Sequence, residues 1–228
     1  YRVGGINLDS LANLYDNLPY AAWWIVVLYE LPSEPLRNLA VFDGLDVVDY
    51  GSPQNVTLSG FEVPYGSFDA KLGVVAMEGD TAITGDQLLF NGTALSNAQN
   101  PVNNFFNGTR SYLGSPVSVS GDLPQTNGLA GSLSGFDMDV VDVSPSLAQG
   151  ATSATISATS TGDVYYLASF VTSITTYRPS FSASTMAVQN LDRASGGPLP
   201  GDRLEYTIGV SNTGNEDATK LVLSNPLP

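Results

Sequence analysis

The stretch SATISATSTGDVYYLASFVTSITTY, Ser153 to Tyr177, sets Ala154, Ile156 and Ala158 at every second position. A polar run, Thr159 to Asp163, separates them from a second apolar run, Val164 to Tyr177. Period-two alternation is the signature of a strand with one buried face, and two such runs around a short Gly-containing turn predict a β-hairpin. Just upstream, GFDMDVVDVSPSL puts Phe136, Met138 and Val140 on one face and Asp137 and Asp139 on the other. The apolar set is expected in the core.

Further strands are read in DAKLGVVAMEGD, in QNVTLSGFEVP (Val56, Leu58, Phe61, Val63), and in EPLRNLAVFDGLDVVDYG with a break at Asp43-Gly44. YRVGGINL supplies a first strand. The most apolar run, YAAWWIVVLY from Tyr20 to Tyr29, is too short to span a bilayer and is expected as a buried central strand. Between Thr81 and Gly108 the pattern loosens into a long polar stretch punctuated by Leu88, Leu89, Phe105 and Phe106, expected as a capping or functional loop. Roughly eight to ten strands before Tyr177 fit an all-β, jelly-roll-like two-sheet sandwich spanning residues 1–177. Its expected core holds one of Trp23 and Trp24 with Ile25, Val27, Phe136, Met138, Ile156 and Phe170.

Composition narrows the class of function. The 228 residues carry 22 acids against 8 bases, a net charge of −14, with no Cys and no His. Sixteen of the acids are Asp, which favours turns and calcium loops over helix. The acid excess argues against nucleic acid, which needs a basic footprint, and against an anionic membrane surface. Without Cys or His there are no disulfides, no usual zinc sites and no Ser-His or Cys-His nucleophile pairs. The chain opens on Tyr1 with no visible leader, which is read as a leader removed or an N-terminus trimmed.

A second module is expected over residues 178–228. Arg178-Pro179 breaks the last strand, and the net charge falls from −12 over residues 1–178 to −2 beyond. RLEYTIGVSN alternates Leu204, Tyr206, Ile208 and Val210 with polar or small residues, TGNEDATK is a turn, and LVLSNPLP reads as a last strand. This is an incomplete immunoglobulin-like module. It is expected to need outside strands over Leu204, Tyr206, Ile208, Val210, Leu221 and Leu223, from the rest of a longer array or from a neighbouring subunit.

The segment PGDRLEYTIGVSNTGNEDATKLVLSNPLP, within residues 183–228, resembles the first half of the DUF11 conserved repeat, an immunoglobulin-like module of bacterial surface proteins. Asn225 stands where that repeat usually closes on Asp, and Met186 where many members have Lys. YAAWWIVVLYELPSEPLRNLAVFDGL, EGDTAITGDQLLFNGTALSNAQNPVNNFFN, GFDMDVVDV and GDVYYLASFVTSI resemble the N-terminal β-sandwich domain that precedes such repeats. The resemblance implies an extracellular or cell-surface location and a modular array. It carries over no activity.

Glu78, Asp80 and Asp86 in MEGDTAITGD, with Asp137 and Asp139 and the neighbouring Asp142, are the candidate ligands of a calcium ion. Calcium takes six to eight oxygens, which Asp- and Gly-rich loops supply, although the spacing here matches no EF-hand. The bland alternative is that these acids cap turns on a solvated face. A glycosidase carboxylate dyad has no specific support. Trp23, Trp24, Tyr29, Tyr165 and Tyr166 are candidates for a sugar-stacking platform or, more simply, for core. Asn55, Asn91 and Asn107 match the glycosylation sequon, and Asn91-Gly92 and Asn107-Gly108 are first of all turn signals.

The leading expectation is therefore a non-enzymatic structural or adhesive module, fibre-forming through strand or face contacts with neighbouring Ig-like modules or identical subunits. The alternative is a lectin-like module binding cell-surface glycans with calcium.

Overall fold

The computed structural model describes residues 22–177, 179–218 and 220–226. They divide into two compact units between Thr176 and Tyr177. The expected first strand, YRVGGINL, lies outside the described residues.

The first unit is an all-β sandwich. Its strands are β1 (Arg37–Val48), β2 (Gln54–Ser59), β3 (Ala70–Met77), β4 (Asp86–Phe90), β5 (Thr93–Ala94), β6 (Arg110–Tyr112), β7 (Ser115–Pro116), β8 (Phe136–Asp142), β9 (Ser153–Ser160) and β10 (Tyr165–Thr175). One sheet has the order β1-β10-β3-β8-β6-β7 and the other β2-β9-β4-β5. Every pairing is antiparallel except β6 with β8. The inner faces of the two sheets share one core containing Leu72, Val74, Leu88, Phe90, Phe105, Phe106, Ile156, Tyr165, Phe170 and Ile174. No helix among the described residues is long and apolar enough to cross a membrane.

Several sequence expectations meet this architecture directly. Ala154, Ile156 and Ala158 are buried along β9, and Phe170 is buried on β10. The break at Asp43-Gly44 is a register shift between Asp43 and Asp46 within the continuous strand β1. Inside the supposed loop 81–108, Asn91 and Gly92 take positive φ values of 48° and 76° and close the β4–β5 hairpin. That left-handed pair is what a two-residue turn between twisted strands requires. The stretch is thus a hairpin followed by a loop.

Three expectations are corrected. The Ser153–Tyr177 stretch is a crossover between sheets, because β9 pairs with β2 and β4 while β10 pairs with β1 and β3. A turn of this length serves either role, and here both strands find their ladders with distant partners. The apolar run at Tyr20–Tyr29 forms no strand over its described residues, and Trp23, Ile25 and Val27 are exposed. Only Ala22 and Trp24 pack, on the outer face of the larger sheet, against a small cluster of Val75, Met77 and Ala168 with Phe136, Met138 and Tyr166 beside it. Strand β8 is inverted relative to expectation: Asp137 and Asp139 face inward and are buried, while Phe136 and Met138 join that outer cluster.

The second unit holds β11 (Thr185–Asn190) paired antiparallel with β12 (Leu204–Gly209). Salt bridges Arg193–Asp202 and Arg203–Asp192 tie the connection between them. Residues 220–226 form no strand, so the last expected strand is absent there. Tyr206, Val210, Leu221 and Leu223 are exposed, and Leu204 and Ile208 are half-buried.

Candidate functional site

The inversion of β8 has a local chemical cause. Asp137 Oδ1 accepts the backbone N–H groups of Asn107 (3.0 Å), Gly108 (2.9 Å) and Thr109 (3.1 Å). Successive N–H groups converging on one oxygen form a nest that favours an anion or its hydrogen-bonding equivalent. Asp139 is served by hydroxyls: Ser111 Oγ donates to Oδ1 at 2.6 Å and Thr109 Oγ1 to Oδ2 at 3.0 Å. Asn100 ties the same loop together, its Nδ2 donating to Phe105 O and Thr109 Oγ1 and its Oδ1 accepting from Ser111 Oγ. These acids are internal pegs on which residues 97–111 are hung.

Asp86, opening β4, is fully buried and accepts Phe106 N–H at 2.8 Å through Oδ1. Asp163, in the β9–β10 crossover, is 3% exposed and accepts Val164 N–H at 2.8 Å through Oδ1. Ser160 Oγ holds the same turn by donating to Asp163 O and accepting Gly162 N–H. Beyond the end of β3, Glu78 takes a φ of 71°, a left-handed conformation that is costly for a residue with a side chain. Gly79 is required by contact: a Cβ there would stand 2.2 Å from Asp137 Oδ2 and 2.7 Å from the Phe106 carbonyl. Asp80 follows.

These turns bring Glu78, Asp80 and Asp163 together, with one carboxylate oxygen of each within 4.8 Å of the others. Of the five expected ligands, the structure joins Glu78 and Asp80 in this group. Asp86, Asp137 and Asp139 sit deeper, each committed to loop N–H or hydroxyl groups. Asp142 is exposed and accepts from Ser144 N–H at the following turn. Asp163 stood in the sequence only as a turn residue, and nothing local to TSTGD indicates that the turn lies against residues 78–80. Asn100, Asn107, Thr109 and Ser111 were equally silent, apart from the Asn107-Gly108 turn signal.

The electrostatics are those of anions without counter-ions. No described Lys or Arg forms an ion pair with Glu78, Asp80, Asp86, Asp137, Asp139 or Asp163; Arg37, Lys71, Arg110, Arg193 and Arg203 pair elsewhere. Burial, reinforced by Asp80 and Asp163, pushes Glu78 up to about 7. Burial likewise pushes Asp86, Asp139 and Asp163 to about 6, each partly opposed by the hydrogen bonds it accepts. Asp137 is raised well above the usual carboxylate range by burial and then by Asp139. Asp86, Asp137 and Asp163 each leave Oδ2 buried with no hydrogen-bond partner, as do Asn104 and Asn107 with Oδ1. Each is an oxygen acceptor lacking a donor.

The aromatic candidates do not form one platform. Tyr165 is fully buried and stacks on Phe106 with ring centroids 4.3 Å apart, while Trp23 and Tyr29 are exposed. Asn107 is buried, so its sequon is inaccessible in the folded chain. A separate depression of about 170 Å³ lies between the β1 bulge and β2, lined by Phe42, Asp46, Gln54, Val56 and Phe170 among others. No protein-family model matches this chain, and no curated protein or solved structure matches it.

Proposed function

We propose that the chain is a structural or adhesive module of a secreted or cell-surface protein, working through strand or face contacts with neighbouring modules or copies of itself. The observation that carries this reading is β1. Among the described residues this twelve-residue strand is the edge of the six-stranded sheet, and its Leu39, Val41, Leu45 and Val47 are all exposed. Long edges are templates for pairing with another chain unless charge, Pro, a bulge or a cover blunts them. In β1 the bulge and the acids Asp43 and Asp46 interrupt the second half and leave Asn38 to Phe42 regular and uncharged. The resemblance of residues 183–228 to an array-forming repeat supports the same reading. A non-enzymatic role accords with the lack of His and Cys and with acids turned inward to hold a loop.

Sedimentation velocity across a concentration series tests it. The wild-type chain is expected to self-associate, and Val41→Lys, whose side chain is 41% exposed, to shift the equilibrium toward monomer without lowering Tm. A wild-type chain that stays monomeric at high concentration removes self-association from the proposal. The exposed Trp23 and Tyr29 support the second reading, a glycan-binding module. Binding on a glycan array that Trp23→Ala abolishes would favour it over the scaffold.

A further inference from the structure

We propose that Glu78, Asp80 and Asp163 form a binding site for a divalent cation of the calcium class, which clips the end of β3 to the β9–β10 crossover. The geometry is the first support. Oxygens on opposite sides of a calcium ion stand about 4.6–5.2 Å apart, given ligand distances of 2.3–2.6 Å. A set of three carboxylate oxygens lying within 4.8 Å of one another is therefore matched to a single such ion. Magnesium demands a smaller, near-ideal octahedron and retains several waters, so the irregular all-carboxylate set favours calcium.

The second, independent support is the pattern of unused acceptors. Asp163 is 3% exposed, and its Oδ2 has no hydrogen-bond partner. Asp137 Oδ2 is buried, also unpartnered, and aimed at the backbone between Glu78 and Asp80: it stands 2.2 Å from where a Gly79 Cβ would lie. Buried polar atoms in folded proteins are nearly always paired, and the exceptions call for a cause such as an absent ion. Two of these exceptions, Asp163 Oδ2 and Asp137 Oδ2, are carboxylate oxygens at or beside the same turn, with no Lys or Arg ion-paired to either acid. An acidic surface cluster that merely confers solubility would have its oxygens in water.

The third support is positional. Glu78 and Asp80 follow a central strand of the larger sheet, whereas Asp163 sits where the chain passes from the smaller sheet to the larger. A shared ion would join these two points across the top of the sandwich. The left-handed φ of Glu78 and the crowded Gly79 hold the turn in the one shape that presents both acids. The inference concerns a cation and does not depend on whether the module is adhesive.

The test is calorimetric titration of the full chain, purified in chelator and then exchanged, with calcium and separately with magnesium, together with thermal unfolding. Extracellular calcium modules bind in the range of about 10⁻⁴–10⁻³ M. One calcium per chain is expected, with weaker magnesium binding. At calcium about 100-fold above the dissociation constant, the folded population should gain ~100-fold over the unfolded. Asp80→Asn and Asp163→Asn should each weaken calcium binding at least tenfold, while Asp43→Asn, an exposed acid on β1, should leave it unchanged. Circular dichroism in chelator confirms that each variant is folded, and Glu78→Gln replaces any that is not. A wild-type chain that binds no calcium at about 10 mM, above that affinity range, overturns the proposal. So does undiminished binding in the folded site variants.

Discussion

Replacing Asp137 separates two roles that its carboxylate combines, and the structure sets the size of each. Asp137→Ala deletes the one oxygen that accepts the N–H groups of Asn107, Gly108 and Thr109, all buried residues. A buried donor left without a partner costs about 1–3 kcal/mol, so three of them cost at least about 3 kcal/mol unless water enters. Asp137→Asn is a different perturbation. It keeps a carbonyl oxygen for the same three donors, replaces the unpartnered Oδ2 by an amide, and removes a group that burial already disfavours as an anion. Because burial already disfavours the anion, the three bonds gain little from charge, and the cost should be no more than about 1 kcal/mol, the net scale of one neutral hydrogen bond. The assay is urea unfolding followed by tryptophan fluorescence, which reports on the first unit alone because both tryptophans, Trp23 and Trp24, lie in it. The expected order of stability is wild type, then Asp137→Asn, then Asp137→Ala well below. If Asp137→Ala unfolds within about 1 kcal/mol of wild type at an unchanged m-value, the nest is not holding the loop. If Asp137→Asn is as damaging as Asp137→Ala, charge rather than acceptor geometry is what matters there.

Other outcomes follow from the same structure. Gly79→Ala places a methyl group 2.7 Å from the Phe106 carbonyl, a backbone atom that side-chain rotation cannot clear, and should cost more than the usual overpacking penalty of about 1–3 kcal/mol in the same urea assay. In the same assay Ile156→Ala, at a fully buried position between the sheets, should cost about 2–5 kcal/mol, whereas Val119→Ala, at an exposed position of the same unit, should cost little. In chelator, unfolding free energy should fall as pH rises from about 4 to 7. Asp86 and Asp139 hold folded values of about 6 against an ordinary 3.8, so the folded chain binds more protons than the unfolded one across that window. Asp69 works in the opposite direction. The Arg37 guanidinium, with Lys71 and Thr175, holds it far below the ordinary value, so its contribution is present above about pH 4 and fades as pH falls toward its folded value. A flat profile between pH 4 and 7 in chelator would contradict the buried-acid assignment.

Much of the first unit is legible in the sequence because strand periodicity is local. The alternation of Val56 with Leu58 and of Ala154, Ile156 and Ala158 follows from the geometry of an extended chain. So does the turn at Asn91-Gly92. The absence of Cys and His is likewise a property of the sequence alone, and it excludes whole chemistries before any fold is known.

Periodicity sorts side chains into two sets, but it does not say which set faces the core. On β8 the answer depended on partners 28–30 residues away in the chain: the N–H groups of residues 107–109 make the interior hospitable to Asp137. The outer cluster around Val75 and Met77 takes up Phe136 and Met138. The same limit explains Ser153–Tyr177, where a local turn signal cannot distinguish two strands that pair with each other from two that pair with distant strands in different sheets. It also explains Asp163, whose meeting with Glu78 and Asp80 arises only when the crossover folds over the end of β3. Local sequence determined the turns, the acid surplus and most of the strands, though the apolar runs at Tyr20–Tyr29 and Leu221–Pro228 form none over their described residues. Tertiary structure decided which acids are buried and which converge, because hydrogen-bond satisfaction and burial depend on contacts between segments remote in the chain.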